Sequence, residues 1–202
     1  MVKRLVILFS ILILSGSTVS AALFEKPQEQ KPDITSQQAK ALYAQNDIDE
    51  TQKLLLSKSE EDRSAEDWLI LGNIYQDKSK IDEAVYMFNK ALEKNPKYYK
   101  AYYNLGYIYL VQDKPNLALT YLKKAVRYNP NFSYGYYNMG CAYLKLKNYK
   151  TARYNFFRAL DLKANNPDIY YNIAYSYKML NNEKKAQTYL DLYNKMKEQH
   201  EL

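Results

Sequence analysis

Few side chains in this 202-residue sequence could perform covalent chemistry. The single histidine, His200, stands alone, so neither a histidine-assisted nucleophile nor a histidine metal cluster can be assembled. Cys141 has no second cysteine with which to form an intrachain disulfide. The five glycines form no phosphate-binding loop, and no pair of carboxylates has a recognisable acid–base setting. The sequence therefore predicts a protein that is not an enzyme and that holds no cofactor or metal.

The abundant functional side chain is tyrosine, with 23 residues, and much of it is arranged periodically. An aromatic residue recurs every 34 positions, at Trp68, Tyr102, Tyr136 and Tyr170. A fixed period of this length is the sequence signature of a repeat array. Six further columns keep the same register: Leu71, Leu105, Met139 and Ile173; Gly72, Gly106, Gly140 and Ala174; Tyr75, Tyr109, Tyr143 and Tyr177; Ala84, Ala118, Ala152 and Ala186; Phe88, Leu122, Phe156 and Leu190; and Ala91, Ala125 and Ala159.

Within one period the apolar residues fall on two helical stripes. Trp68, Leu71 and Tyr75 share one face of a first helix, because they are three and four residues apart. Ala84 and Phe88 belong to a second stripe, and the short connection between the stripes requires the two helices to fold back antiparallel. A glycine inside a helix costs about 1 kcal/mol relative to alanine, so the recurring glycine column predicts a close helix crossing.

At these columns the chain resembles the tetratricopeptide repeat family, whose pattern is an aromatic residue, Leu-Gly, Tyr, Ala, an aromatic residue, Ala and Pro. The resemblance extends over residues 65–200 and implies an all-α fold, a right-handed α-solenoid of antiparallel helix pairs. Tyr193 replaces the small alanine in the last unit, which indicates that the array ends there. The chain also departs from the family in the turn inside each pair, where Ser79, Asp113, Lys147 and Asn181 replace the usual glycine.

Other sequence features divide the chain into segments. Residues 1–21 have the pattern of a signal peptide, since Lys3 and Arg4 precede an apolar run at 5–14 and small residues at 19–21 offer a cleavage site. We therefore expect an exported protein, periplasmic or secreted, that is attached to a membrane only if this segment stays uncleaved. The other segments are a polar linker (22–34), a degenerate capping helix pair (35–64) in which Thr35 and Gln38 predict a capping box, and four repeats (65–98, 99–132, 133–166 and 167–200).

The surface left for function is the inner face of the solenoid. The resemblance implies that a stripe on each first helix lines this concave face and binds a protein or peptide partner. Tyrosine rings are rigid amphipathic anchors that suit an interface, although Tyr103, Tyr137 and Tyr171 could instead stack on one another as packing. The candidate groove comprises Asn73, Lys100, Tyr103, Asn104, Tyr107, Tyr134, Tyr137, Asn138, Cys141, Tyr171, Asn172, Tyr175 and Lys178.

Other functions fit the same residues. The tyrosine rings would also serve a glycan or peptidoglycan binder as stacking platforms, and an uncleaved N-terminal segment would make the chain a structural subunit of an envelope assembly. Nucleic-acid binding is disfavoured, because removal of Lys3 and Arg4 with the signal segment lowers the net charge from +7 to +5, which is modest and is interpreted as spread along solvated helix faces. A carboxylate clamp of the kind that holds chaperone C-termini is also disfavoured, since Leu69, Tyr134 and Asn138 stand at its basic positions.

Overall fold

The structure is a computed structural model that describes residues 33–200. Within that range the chain forms helices and no strand, which confirms the predicted all-α fold of helix pairs. The predicted signal segment and residues 22–32 of the predicted linker lie outside the described residues. None of the described helices is both long and apolar enough to cross a membrane. The helices are α1 (Ile34–Ala44), α2 (Ile48–Ser57), α3 (Ala65–Asp77), α4 (Ile81–Lys94), α5 (Tyr99–Val111), α6 (Pro115–Tyr128), α7 (Ser133–Lys145), α8 (Tyr149–Asp161), α9 (Asp168–Lys178) and α10 (Glu183–His200).

Short connections fold the helices back on one another in pairs. The pairs are α1 with α2, α3 with α4, α5 with α6, α7 with α8, and α9 with α10. Each second helix also packs against the next first helix, as α4 does against α5 and α6 does against α7. First helices contact one another along the array, α5 with α7 and α7 with α9, whereas no comparable packing joins successive second helices within residues 33–200. The first helices therefore lie on the inner, concave side and the second helices on the outer side.

The glycine column marks the place where the two helices of a pair cross most closely. A Cβ added to Gly72 would lie 2.4 Å from Cε1 of Phe88, and one added to Gly140 would lie 2.5 Å from Cε1 of Phe156. Both phenylalanine side chains are completely buried, so packed neighbours prevent their rings from moving aside. The close crossing that the glycine column predicts is therefore confirmed.

The turns inside the helix pairs adopt a left-handed backbone conformation without glycine. The φ angle is 58° at Ser79 and 57° at Lys147. The amide after each turn residue reaches back over the helix end, as where Asn148 N donates to Tyr143 O at 2.9 Å. Residues with a Cβ thus keep a geometry that suits glycine, at a cost of about 1–2 kcal/mol each. Asp113, Asn181 and, in the first pair, Asn46 adopt the same conformation.

A buried polar cluster joins the first helix pair to the next. Asp67, completely buried in the first turn of α3, accepts hydrogen bonds from Ser36 Oγ at 2.6 Å and from Lys58 Nζ at 2.7 Å. Ser64 caps α3, and its amide also donates to the Asp67 carboxylate. Burial raises the pKa of Asp67, but the hydrogen bonds from Lys58, Ser36 and Ser64 outweigh it, so this pKa lies below its usual value.

The beginning of α1 differs from the prediction. Ile34 is already helical, so Thr35 lies inside the helix rather than at its N-cap. Ser36, the next residue, is buried and directs its hydroxyl to Asp67. Ser36 therefore connects the beginning of α1 to α3 through this hydrogen bond.

The small residue near the end of each second helix makes room for the next pair. Ala91, Ala125 and Ala159 have no exposed surface. Tyr193 takes the equivalent place in α10, and its ring centroid lies 5.4 Å from that of Tyr171. The Tyr193 ring therefore packs against α9 of its own helix pair.

Candidate functional site

The inner face carries a groove at its N-terminal half, which we call the α1–α3–α5 groove. It encloses about 400 Å³. Residues from all three helices line it, together with Phe132, which directly precedes α7. The lining consists of Lys40, Tyr43, Glu66, Leu69, Ile70, Asn73, Lys100, Tyr103, Asn104 and Phe132. Four of the residues predicted from sequence therefore meet here: Asn73, Lys100, Tyr103 and Asn104.

Two amide side chains bridge the floor of this groove. Asn104 Nδ2 on α5 donates to Asn73 Oδ1 on α3 at 2.7 Å. The bond fixes both amide orientations and links neighbouring first helices. It leaves the Asn73 Nδ2 group and the Asn104 Oδ1 atom, a donor and an acceptor, for a ligand. An extended peptide backbone offers the matching acceptor and donor.

An aromatic wall closes one side of the groove. The Tyr103 ring meets Phe132 edge-on, with centroids 4.9 Å apart and planes at 89°. Phe132 is held in turn by Tyr99, at 5.1 Å between centroids. Burial raises the pKa of Tyr103, and the nearby Asn138 side chain only partly offsets this rise. The phenol therefore stays protonated at neutral pH, and the wall offers an apolar contact surface with a neutral hydroxyl.

Charged groups lie at the rim of the groove. Lys40 of α1 forms an ion pair with Glu66 of α3, and both side chains are partly exposed. Lys100 at the start of α5 is exposed and has no ion-pair partner within residues 33–200. A ligand carboxylate near Lys100 would therefore find an uncompensated cation. The arrangement can hold an apolar side chain, a peptide backbone and an acidic group together.

The predicted residues of the fourth repeat line a separate surface. Tyr171, Tyr175 and Lys178 face a groove of about 420 Å³ between α9 and α10, at the C-terminal end of the array. Met179 and Leu190 are part of the same lining. This end groove shares no lining residue with the α1–α3–α5 groove, so the predicted site residues fall into at least two groups.

The predicted residues between these grooves have mixed positions. Tyr107 lines a third and smaller cavity of about 220 Å³ with Val111, and the exposed Tyr134 lies beside Phe132. Asn172 is half-buried on α9. Among the residues described, neither Tyr107 nor Asn172 has a side-chain hydrogen bond.

Three predicted residues of α7 belong mainly to the packing. Tyr137 is half-buried, with its ring centroid 5.9 Å from Phe156. Burial raises the pKa of the Cys141 thiol to about 11, so the sulfur stays protonated and is a poor nucleophile. Asn138 is 5% exposed, and its Nδ2 has no acceptor in the part of the chain that the structure describes.

The tyrosines at equivalent places on α5, α7 and α9 do not stack on one another. Tyr103 contacts Phe132, Tyr137 contacts Phe156, and Tyr171 contacts Tyr193. Each ring therefore has its own aromatic neighbour, and the exposure of the three differs, with Tyr171 half exposed. An interface that used all three would have to span two separate grooves.

Sequence reasoning missed Lys40, Tyr43 and Phe132 as groove residues. The first helix pair was assigned only to capping, because the 34-residue register does not extend into it. A spacing of 33 residues does align the first helix pair with the second. It places the left-handed turn residue Asn46 at the position of Ser79, and Lys40 at the position of Asn73. This shorter period would have placed Lys40 on the inner stripe.

The fold defines the class of protein as an α-solenoid of helix pairs, the architecture of protein-interaction scaffolds. Family profiles then identify the repeats. A profile described as TPR repeat matches residues 72–113, and profiles described as tetratricopeptide repeat match residues 99–132, 121–154 and 167–200. Together they cover more than half of the sequence. The chain belongs to the tetratricopeptide repeat family, whose members are typically non-catalytic.

Solved structures of MamA proteins share this fold. MamA AMB-1 matches with a TM-score of 0.69 and 22% identity, covering 82% of this chain and 91% of that one. MamA 41-end from Desulfovibrio magneticus RS-1 matches with a TM-score of 0.71 and 18% identity, covering 82% and 94%. At such identities the likeness concerns the fold alone. Comparison with curated protein sequences gives no match.

Proposed function

We propose that this chain is an exported, non-catalytic scaffold that binds a protein or peptide partner in the α1–α3–α5 groove. The observation that carries the proposal is the convergence of an aromatic wall, a pair of amides and an uncompensated cation in one concave site. Concave sites with an apolar lining and a few oriented polar groups are typical binding sites. The family and the fold support a protein-interaction role.

The groove chemistry fits an extended segment with an apolar and an acidic side chain. The apolar side chain would pack against Tyr103 and Phe132. The backbone would exchange hydrogen bonds with Asn73 and Asn104, and the acidic group would lie near Lys100. Buried aromatic anchors usually dominate such interfaces, so Tyr103 should contribute most of the affinity.

A set of matched variants tests this site. The wild-type protein and the variants Tyr103→Ala, Lys100→Glu and Leu192→Ala serve as baits in affinity purification from the native source. Leu192 is the control, because it is 39% exposed and lies on α10, outside the groove. A partner of the groove is retained by the wild type and by Leu192→Ala and is lost by the other two. With the purified partner, Tyr103→Ala should weaken binding by about 2 kcal/mol or more. Unchanged binding by both groove variants would refute the proposal.

Export has its own test. Mass spectrometry of the protein purified from its source should find a mature N-terminus at Ala22, which follows the small-residue cleavage site. A chain that still begins at Met1 would contradict cleavage and would favour a membrane anchor instead. This result does not depend on the groove.

A further inference from the structure

The positive charge of the chain is concentrated in its second and third repeats. Residues 33–96 carry eight Lys and Arg against thirteen Asp and Glu, a net charge of −5. Residues 97–163 carry twelve Lys and Arg against two acids, a net charge of +10. The charge is therefore not spread evenly along the array. The twelve are Lys97, Lys100, Lys114, Lys123, Lys124, Arg127, Lys145, Lys147, Lys150, Arg153, Arg158 and Lys163.

The densest group lies on the outer side of the array, on α6. Lys123, Lys124 and Arg127 are exposed, and none has an ion-pair partner within residues 33–200. The sequence of α6 contains no acidic residue. Lys150 adds an exposed cation on the neighbouring second helix, α8. We call these four residues the basic outer face.

Helix stability does not explain this arrangement. In α4, at the equivalent positions 34 residues earlier, Lys90 Nζ pairs with Glu93 Oε2 at 2.9 Å. In α6 these positions hold Lys124 and Arg127, so an attractive pair is replaced by a repulsive one. The buried residues of α6, such as Leu122, lie on its other side.

Apolar side chains accompany the cations. Leu117 and Tyr128 of α6 are each 38% exposed, and Tyr154 of α8 is 68% exposed. We propose that the basic outer face binds the surface of an anionic lipid bilayer. The lysines and arginine would contact lipid phosphates, and the tyrosine and leucine side chains would enter the interfacial region, where amphipathic rings are favoured.

A bilayer fits this surface better than a nucleic acid does. The cations lie on the outer, convex side of the array rather than along a groove that could follow a single strand. Tyr128 stacks on Tyr102, with centroids 5.6 Å apart and planes at 25°, so one face of its ring is unavailable for stacking on a base. Leu117 is an apolar contact that a bilayer accommodates and a polyphosphate chain does not.

The test is sedimentation of the full chain with vesicles. One set of vesicles contains equal parts of phosphatidylglycerol and phosphatidylcholine, and the other contains phosphatidylcholine alone. The variant Lys123→Gln/Lys124→Gln/Arg127→Gln should bind the anionic vesicles about 100-fold more weakly, since each cation near such a surface contributes about fivefold. The control Lys184→Gln/Lys195→Gln/Lys197→Gln removes three exposed cations of α10 and should bind like the wild type.

A second variant separates binding from folding. Arg127→Glu recreates in α6 the ion-pair arrangement of Lys90 and Glu93, so its thermal melt should match or exceed that of the wild type. It changes the charge by two units and should weaken vesicle binding by about 25-fold. Raising the salt concentration should weaken wild-type binding as well, through screening of the surface charge.

Three results would overturn the proposal. The first is that the wild type binds neutral and anionic vesicles equally well. Membrane contact would then be assigned to residues 1–32, which all variants share. The second is vesicle binding by the triple variant at wild-type strength. The third is tighter binding of a single-stranded oligonucleotide than of anionic vesicles, abolished in the same triple variant, which would make the face a nucleic-acid surface.

Discussion

Removing the cation from the buried Lys58–Asp67 pair should destabilise the junction between α2 and α3 by several kcal/mol. The Lys58 Nζ and Asp67 Oδ2 atoms lie 2.7 Å apart, and the side chains are 8% and 0% exposed. In Lys58→Met the carboxylate stays buried without this cation, which costs about 3–5 kcal/mol. Since small domains have a total stability of about 5–15 kcal/mol, the loss should be readily measured.

An exposed pair on α2 provides the matched control. Lys53 pairs with Glu50 at 3.2 Å, but these side chains are 76% and 49% exposed. Lys53→Met should therefore cost less than about 1 kcal/mol. The double variant Lys58→Met/Asp67→Asn removes both charges of the buried pair and should recover most of the loss, because an amide oxygen still accepts from Ser36.

Tryptophan fluorescence makes the measurement local. Trp68 is the single tryptophan, follows Asp67, is 1% exposed and lies under the Arg63 guanidinium at 4.8 Å. Urea unfolding followed by this fluorescence reports the junction, while circular dichroism reports all helices. Because repeat arrays can open from one end, Lys58→Met should shift the fluorescence transition further than the circular dichroism transition. A shift no larger than that of Lys53→Met would refute the reasoning.

The same pair predicts a pH dependence. The pKa of Asp67 in the folded chain lies below its usual value of 3.8, so the unfolded chain binds this proton more readily. The stabilisation from Asp67 is therefore present above the unfolded pKa and is lost as pH falls through the folded pKa. The stability difference between wild type and Asp67→Asn should be constant from about pH 5 to 7 and shrink below about pH 4. A difference that grows on acidification would contradict the assigned direction.

Three further predictions concern the array. Phe156→Ala should lower the free energy of unfolding by about 3–5 kcal/mol, and Tyr137→Ala should lower it less, because Tyr137 is only half-buried. Thermal melts compare the two variants, and equal losses of stability would make Tyr137 a core residue. Lys147→Gly should raise the free energy of unfolding by about 1 kcal/mol, since φ is 57° there, and a lower urea midpoint would contradict this. Cys141 should react slowly with a thiol reagent at about pH 8 in the folded protein and rapidly in the unfolded protein, because folding raises its pKa to about 11. Equal reaction rates in the two states would exclude a protected thiol.

The helices could be predicted because each repeat column performs one physical task. Gly72 leaves the space that Phe88 fills, and Ala91 leaves space for the following pair. These packing requirements recur at a fixed spacing along the chain, and that spacing can be read directly from the sequence. The turn positions were recognisable for the same reason, although Lys147 stands where glycine would be favoured.

The groove could be predicted only in part, because it depends on contacts between neighbouring repeats. The sequence places Tyr103 and Tyr137 at equivalent positions, yet one lines the α1–α3–α5 groove and the other packs against Phe156. Their different roles follow from what the next repeat supplies, such as Phe132 beside Tyr103. The burial of Asp67 was not predictable for a similar reason. A carboxylate in the first turn of a helix has a sufficient role as a cap, and its partners Ser36 and Lys58 come from the preceding helix pair, 31 and 9 residues away in sequence.

The two proposed surfaces are compatible because they use different sides of the α5–α6 helix pair. The pair α5–α6 is held by residues such as Leu105 and Leu122, which lie between the helices. Tyr103 of α5 faces the concave side, while Lys124 of α6 lies on the outer side, so the two surfaces stand on opposite sides of one helix pair. A bilayer that contacts α6 would therefore leave the groove open to solution. In that arrangement the array would hold its partner at a membrane surface without requiring either interaction to change the fold.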